Sequence, residues 1–242
     1  MKKIMLTVLS ITTLFACSSI KTLEVEDKDF VLESIQYTEN DKINALGKGM
    51  TLEFENKKLS GKSSVNNFFA EYKVENNKLI VDGLGITRMA GDPKDMELET
   101  EYLNALQTNK HISKEGEKLV LESQNGMKLI YTKEIDDDVL ENKSFKLINP
   151  EFSGAEITIG FKDDNVFGKS GVNNYFTTYE IEDNVLILQT IGSTLMAGDQ
   201  KTMDLEFKYL AMLNNVIGIE YENNKLTLYT KDNQKLIFNE VK

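Results

Sequence analysis

The chain has no tryptophan, two prolines, one histidine and one cysteine among its 242 residues. With His111 as the sole histidine, a multi-histidine metal centre is excluded, and a Ser-His-Asp site would rest on one residue. With Cys17 as the sole cysteine, no internal disulfide can form, which is unusual for an exported protein. Basic residues are also scarce. The 28 Lys and Arg face 39 Asp and Glu, a formal charge of −11, and such a surface repels phosphate backbones. No nucleic-acid partner is therefore expected.

One long apolar run is present, at the N-terminus, and it is too short for a spanning helix, which needs roughly 20 apolar residues. Lys2 and Lys3 precede an apolar stretch from Ile4 to Leu14, the layout of a secretory leader. Leu14-Phe15-Ala16-Cys17 then reads as a lipobox, with a small residue before the cysteine and an aliphatic residue three before it. The sequence thus predicts a signal peptide over 1–16, lipidation of Cys17 and a polar tether over 17–29. Several acyl chains would hold the protein at a bilayer, where one chain binds only marginally. The expected location is the cell envelope: the outer membrane if the cell has one, otherwise the outer face of the cytoplasmic membrane.

The rest of the chain is a duplication. At an offset of 107, residues 61–106 match 168–213 without a gap, and 25 of the 46 pairs are identical. The copies differ in length near their starts, where the first is longer around "NDKINALGKG", read as a longer loop. Repeats of about a hundred residues are long enough to bury their own cores. The predicted division is a first domain over 30–133, a linker over 134–143 and a second domain over 144–242. Three adjacent aspartates, Asp136 to Asp138, suggest that the linker is solvated; as a calcium site the run lacks ligand spacing.

Within each copy, short alternating runs bounded by turn residues read as antiparallel strands. "FFAEYKVENNKLIV" and "YFTTYEIEDNVLIL" are hairpins, and "KLVLESQNGMKLIY" is another, with Asn125-Gly126 supplying positive φ. One helix per copy follows Asp92 or Asp199 as N-cap, with Pro93 at its first position. Its buried stripe is expected to hold Met96, Tyr102, Leu103 and Leu106 in copy one. In copy two the corresponding stripe is Met203, Phe207, Leu210 and Leu213.

These residues resemble the META domain, the family of the heat-shock protein HslJ. The resemblance rests on Gly61, Asn66, Phe68 and Tyr72, then Thr87-Arg88-Met89-Ala90 before the capped helix. Copy two repeats it with Gly168, Asn173, Tyr175 and Tyr179, then Thr194-Leu195-Met196-Ala197. The resemblance implies an α+β fold of two similar domains, each an antiparallel sheet rolled into a partly open barrel with a helix across it. It also implies a link to envelope stress and, in some organisms, virulence, with no established reaction. Where the family has cysteines, this chain has Val65 and Gly91, and Val172 and Gly198. Loss of both members in both copies implies that the paired positions touch, the valine filling space that the glycine leaves.

Gly61-Lys62-Ser63 and Gly168-Lys169-Ser170 lack the earlier glycine of a phosphate loop and precede strands, not helices. Glu99 and Glu206 correspond between copies and are read as part of solvated, acid-rich helix faces. Asn66-Asn67 and Asn173-Asn174 either fix a bend in the strand or orient a ligand. Thr87, Met89, Thr194 and Met196 are read as core or turn residues. No enzyme activity, cofactor or metal is expected. The expected function is a membrane-anchored envelope lipoprotein that binds a protein partner or supports stress tolerance. The alternative is a small-molecule or lipid carrier with an apolar groove between sheet and helix, lined by Phe68, Phe69 and Tyr72 or Tyr175, Phe176 and Tyr179.

Overall fold

A computed structural model describes residues 23–26 and 28–241. The leader, the lipobox and Cys17 lie outside the described residues. Domain one runs β1 (Lys28–Thr38), β2 (Asp41–Asn44), β3 (Thr51–Glu55), β4 (Lys58–Lys62), β5 (Asn67–Glu75), β6 (Lys78–Ile86), α1 (Pro93–Gln107), β7 (Asn109–Glu115), β8 (Lys118–Ser123) and β9 (Lys128–Lys133). Domain two runs β10 (Ser144–Leu147), β11 (Thr158–Lys162), β12 (Asn165–Lys169), β13 (Asn174–Glu182), β14 (Val185–Leu188), β15 (Gly192–Ser193), α2 (Gln200–Leu213), β16 (Val216–Glu222), β17 (Lys225–Thr230) and β18 (Lys235–Val241).

The two sheets share one topology. Domain one has the order β6-β5-β4-β3-β1-β9-β8-β7, and domain two repeats it as β14-β13-β12-β11-β10-β18-β17-β16, with all pairs antiparallel. The last strand curls back toward the hairpin at the other end of the sheet. Ile112 N donates to Asn77 O across that seam, and Ile219 N donates to Asn184 O at the same place in domain two. Each sheet is thus a nearly closed roll, and one helix packs over it. The hairpin tips have the two consecutive positive φ values that a tight turn needs, at Asn76 and Asn77 (52° and 55°) and at Asp183 and Asn184 (52° and 57°). In the β8–β9 turn only Gly126 is left-handed (φ 89°); Asn125 instead uses its side chain, accepting from Met127 N.

Each domain has its own core. In domain one Phe54, Phe68, Tyr102 and Tyr131 are buried; in domain two Phe161, Tyr175, Tyr209 and Phe238 take the same places. These rings fill the interior between helix and sheet. Alternation along β5 and β13 turns Phe69 and Phe176 outward. Three sequence expectations change. The extra length of copy one includes a strand, since β2 pairs with β1. The acidic junction folds into a 3₁₀ turn over Asp137–Leu140, and Leu140 is buried in the second core. The stripe expected on α2 is half right: Leu213 is buried and Leu210 packs against the core, but Phe207 is 78% exposed and Met203 38%, and Glu206, Tyr209 and Met212 complete the inner face instead.

Candidate functional site

The residues shared by both copies converge on a buried carboxylate. The chain leaves β4 at Lys62, makes a tight bend through Ser63–Asn66 and enters β5. Glu99, one turn before Leu103 on the inner face of α1, sits directly under that bend. Its Oε2 accepts from Ser63 Oγ (2.7 Å), Asn66 N (2.7 Å) and Val65 N (3.2 Å), and its Oε1 accepts from Asn66 Nδ2 (2.8 Å). The other end of the Asn66 amide holds the β6–α1 loop. Asn66 Oδ1 accepts from Thr87 Oγ1 (2.8 Å) and Met89 N (2.7 Å).

Domain two repeats every one of these bonds. Glu206 accepts from Ser170 Oγ (2.8 Å), Asn173 N (2.7 Å), Val172 N (3.0 Å) and Asn173 Nδ2 (2.7 Å). Asn173 Oδ1 accepts from Thr194 Oγ1 (2.8 Å) and Met196 N (2.7 Å). Burial pushes both carboxyls up, but the side-chain and backbone donors outweigh it and hold Glu99 and Glu206 below the usual glutamate range. A carboxylate saturated by four donors is a staple: it ties the bend, the loop and the helix to one point. Glu99 and Glu206 are therefore buried, and the reading of them as solvated helix residues is corrected.

The staple explains much of the motif. Asn66 and Asn173 are buried, and their amides suit the place because donor and acceptor are separate atoms: the nitrogen gives a proton to the glutamate while the oxygen accepts two from the loop. Their neighbours Asn67 and Asn174 are exposed, and each holds its strand to Thr87 or Thr194 through the backbone. Met89 and Met196 are turn residues and not core, at 51% and 48% exposure. Gly61 and Gly168 have no phosphate role here. A Cβ at either would lie about 2 Å from a carbonyl oxygen, 2.2 Å from Thr51 O and 2.1 Å from Thr158 O, so no other residue fits beside that strand.

Val65 and Gly91 touch, as do Val172 and Gly198. A Cβ built on Gly91 would stand 2.6 Å from Val65 Cγ2, and one on Gly198 would stand 2.4 Å from Val172 Cγ2. Any larger residue at the glycine would displace the valine. Both valines are half-buried, so the exchange fills the rim of the motif and not the core.

The residues missed from sequence were Ser63, Ser170 and the two glutamates as hubs. A signal was available: Glu99 lies three and four residues before Tyr102 and Leu103, on the face those residues bury. A polar residue kept there in both copies is a candidate for a buried bond.

Among the described residues no group of three His, Cys, Asp or Glu side chains is placed to hold a metal, and no helix is long and apolar enough to cross a membrane. One pocket of about 400 Å³ lies at the end of the first roll, lined in part by Leu23, Val25, Phe30 and Leu119.

No curated protein matches the chain. Among solved structures, a protein from Burkholderia xenovorans determined by NMR is 22% identical, with 46% of this chain and 85% of that chain covered, at a TM-score of 0.41. A second NMR structure is 28% identical and covers 44% of this chain and 89% of its own, at a TM-score of 0.35. The META domain family model matches residues 22–136 and again 141–242. The chain belongs to the META domain family and carries two copies of the domain in tandem.

Proposed function

We propose that the chain is a non-catalytic envelope lipoprotein, anchored through Cys17, whose second domain binds a protein partner through an apolar surface. The observation that carries this reading is the outer side of α2 and the loop before it. Leu195 is 99% exposed and Phe207 78%, with Met196 at 48% and Met203 at 38% near them in sequence. Met203 and Phe207 are four residues apart, so they share one helix face. Exposed apolar residues concentrated on one element mark an interaction surface more often than isolated ones do. In domain one the matching positions hold Arg88 for Leu195 and Thr100 for Phe207. The fold and the two methionines (Met89 and Met96 in domain one) are kept in both copies, and the two most exposed apolar residues, Leu195 and Phe207, are found only in domain two.

The anchor reading rests on the leader and the lipobox. Cys17→Ser is expected to release the protein to the soluble fraction or leave an uncleaved precursor; palmitate labelling that persists in this variant defeats it. Partner binding is tested with a photo-crosslinking residue at Phe207 and, as a control, at Thr100, in cells under heat or envelope stress. A discrete adduct at position 207 and none at 100 supports the reading; no adduct at either contradicts it. The carrier reading is favoured by one observation, the pocket beside Leu23, Val25 and Phe30. Native mass spectrometry of residues 21–242 with retained lipid would favour it instead.

A further inference from the structure

The motif side of domain one is covered by domain two, partly by residues that both domains carry (Glu182 and Asn184, matching Glu75 and Asn77) and partly by residues in which they differ, Asp183, Ile217 and Gly218. Lys62, the motif lysine, reaches across to Glu182 (3.1 Å) and Asp183 (2.5 Å) at the β13–β14 hairpin tip. The buried side chain of Asn184 at the same tip accepts from Ile135 N (2.8 Å) and donates to Lys133 O (3.0 Å). The segment that only copy one has, between β2 and β3, packs on β16. A Cβ on Gly218 would lie 2.7 Å from Leu46 Cβ, and one on Gly47 would lie 3.0 Å from Ile217 Cβ. Leu46 is buried with Val31 and with Tyr229 of domain two. Lys118 closes the junction, 2.6 Å from Glu33 and 3.0 Å from Glu220.

This contact is head-to-tail: the motif side of one domain receives the hairpin tip of the next. Such an interface can in principle repeat without end, because domain two has a motif side of its own and domain one has a hairpin. Both free halves differ from the halves that meet. On the hairpin half, domain one has Asn76 for Asp183 and Lys78 for Val185, and on the adjoining strand Lys110 for Ile217 and His111 for Gly218. On the motif half, domain two lacks the segment that holds Leu46. It also has Glu156 where domain one has Gly49, and Glu156 takes up Lys169 at 2.6 Å. Gly49 itself faces Asp183: a Cβ there would be 3.6 Å from Asp183 Oδ2, so a carboxylate at that position would meet the incoming acid.

We infer that the motif side of domain one is a receptor for an acidic β-hairpin tip, occupied within the chain by domain two through the copy-one segment around Leu46. The pairing is single and does not propagate to a second molecule. The two domains move as one body, and the motif side left free is that of domain two. This stands apart from the partner reading, since it concerns contacts inside the chain.

The test exchanges domain two's contact residues for those that domain one carries: Asp183→Asn, Val185→Lys, Ile217→Lys and Gly218→His together. Each replacement already occupies the matching place in a folded copy. NMR relaxation of the full soluble chain is expected to give both domains one rotational correlation time. In the fourfold variant the two should separate, each falling toward that of a body of half the mass, with chemical shifts of the domain cores unchanged. If the fourfold variant fails to fold, Lys62→Glu on its exposed side chain tests the same contact, and adding Asp183→Lys should restore joint tumbling. Separate tumbling in the unaltered chain overturns the inference, as does joint tumbling in the variants. Growth of mass with concentration in sedimentation overturns the claim that pairing stops at one.

Discussion

Domain one and domain two bury the same helix tyrosine and find its hydroxyl partner on different strands. In domain one Tyr102 receives a bond from Tyr131 on β9 (3.2 Å), while Phe68 on β5 has no hydroxyl to offer. In domain two Tyr209 pairs with Tyr175 on β13 (2.7 Å), and Phe238 stands where Tyr131 would be. In each domain the hydroxyl pair ends on the same strand carbonyl, Tyr102 donating to Thr51 O (3.3 Å) and Tyr175 to Thr158 O (2.9 Å). The second hydroxyl can therefore come from either strand without leaving a buried group unpaired, which would cost roughly 1–3 kcal/mol. The staple is different. Ser, Asn, Thr and Glu are identical in both copies, and so are their bonds. A pair of hydroxyls can be rearranged around one contact, whereas a carboxylate with four donors leaves several groups unpaired if any member changes. The outer faces are freer still, and there the copies have taken separate roles.

The largest effect should come from breaking the staple. Glu99→Ala leaves the Asn66 amide and two backbone N–H groups without their acceptor, and turns the Ser63 hydroxyl to Asn66 O alone, a loss of about 3–5 kcal/mol. Glu206→Ala should cost its domain a similar amount, measured by denaturant unfolding of each domain's tyrosines. A much smaller loss in one domain would show that the two staples differ in weight.

The valine–glycine contact sharpens the comparison in the stabilising direction. A Cβ on Gly91 would lie 3.3 Å from Val65 Cβ, and one on Gly198 would lie 3.3 Å from Val172 Cβ, slightly closer than the roughly 3.5–4.5 Å usual for a disulfide, so a small outward shift brings each pair to bonding distance. Val65→Cys with Gly91→Cys should close in air, as should Val172→Cys with Gly198→Cys. Each should add about 3 kcal/mol by loop entropy, less strain. Free thiols remaining in one pair would mark the domain whose rim is differently arranged.

A smaller effect separates the copies at the bend. Ser64 has φ 97°, a left-handed value that costs a residue with a Cβ, and domain two has Gly171 there at φ 130°. Ser64→Gly should stabilise domain one by about 1 kcal/mol, and Gly171→Ser should destabilise domain two by a similar amount. A thermal melt of the two single variants reads both signs.

Much of the fold was legible because duplication states each signal twice. Hairpin tips, capped helices and the Gly61 and Gly168 strands could be read from local turn and spacing chemistry. Helix faces were harder to read. Glu99 looked like one acid among several, since a sequence does not show where four donors converge. Phe207 looked like core because apolar spacing is the same for a buried face and for one waiting on a partner. The contact of Asp183 with Lys62 could not be read at all, because it depends on how two separately folded units meet.

The staple itself is tested most directly by the carboxyl carbons of Glu99 and Glu206 in an NMR pH titration. Folded-state values below the ordinary glutamate range mean that each carboxylate stabilises its domain in full above that range. The contribution is then lost as the pH falls through the depressed values. Both carbons should titrate together, below the ordinary range, as the domains begin to unfold in acid. Titration of either at or above the ordinary value in the folded protein would contradict the staple.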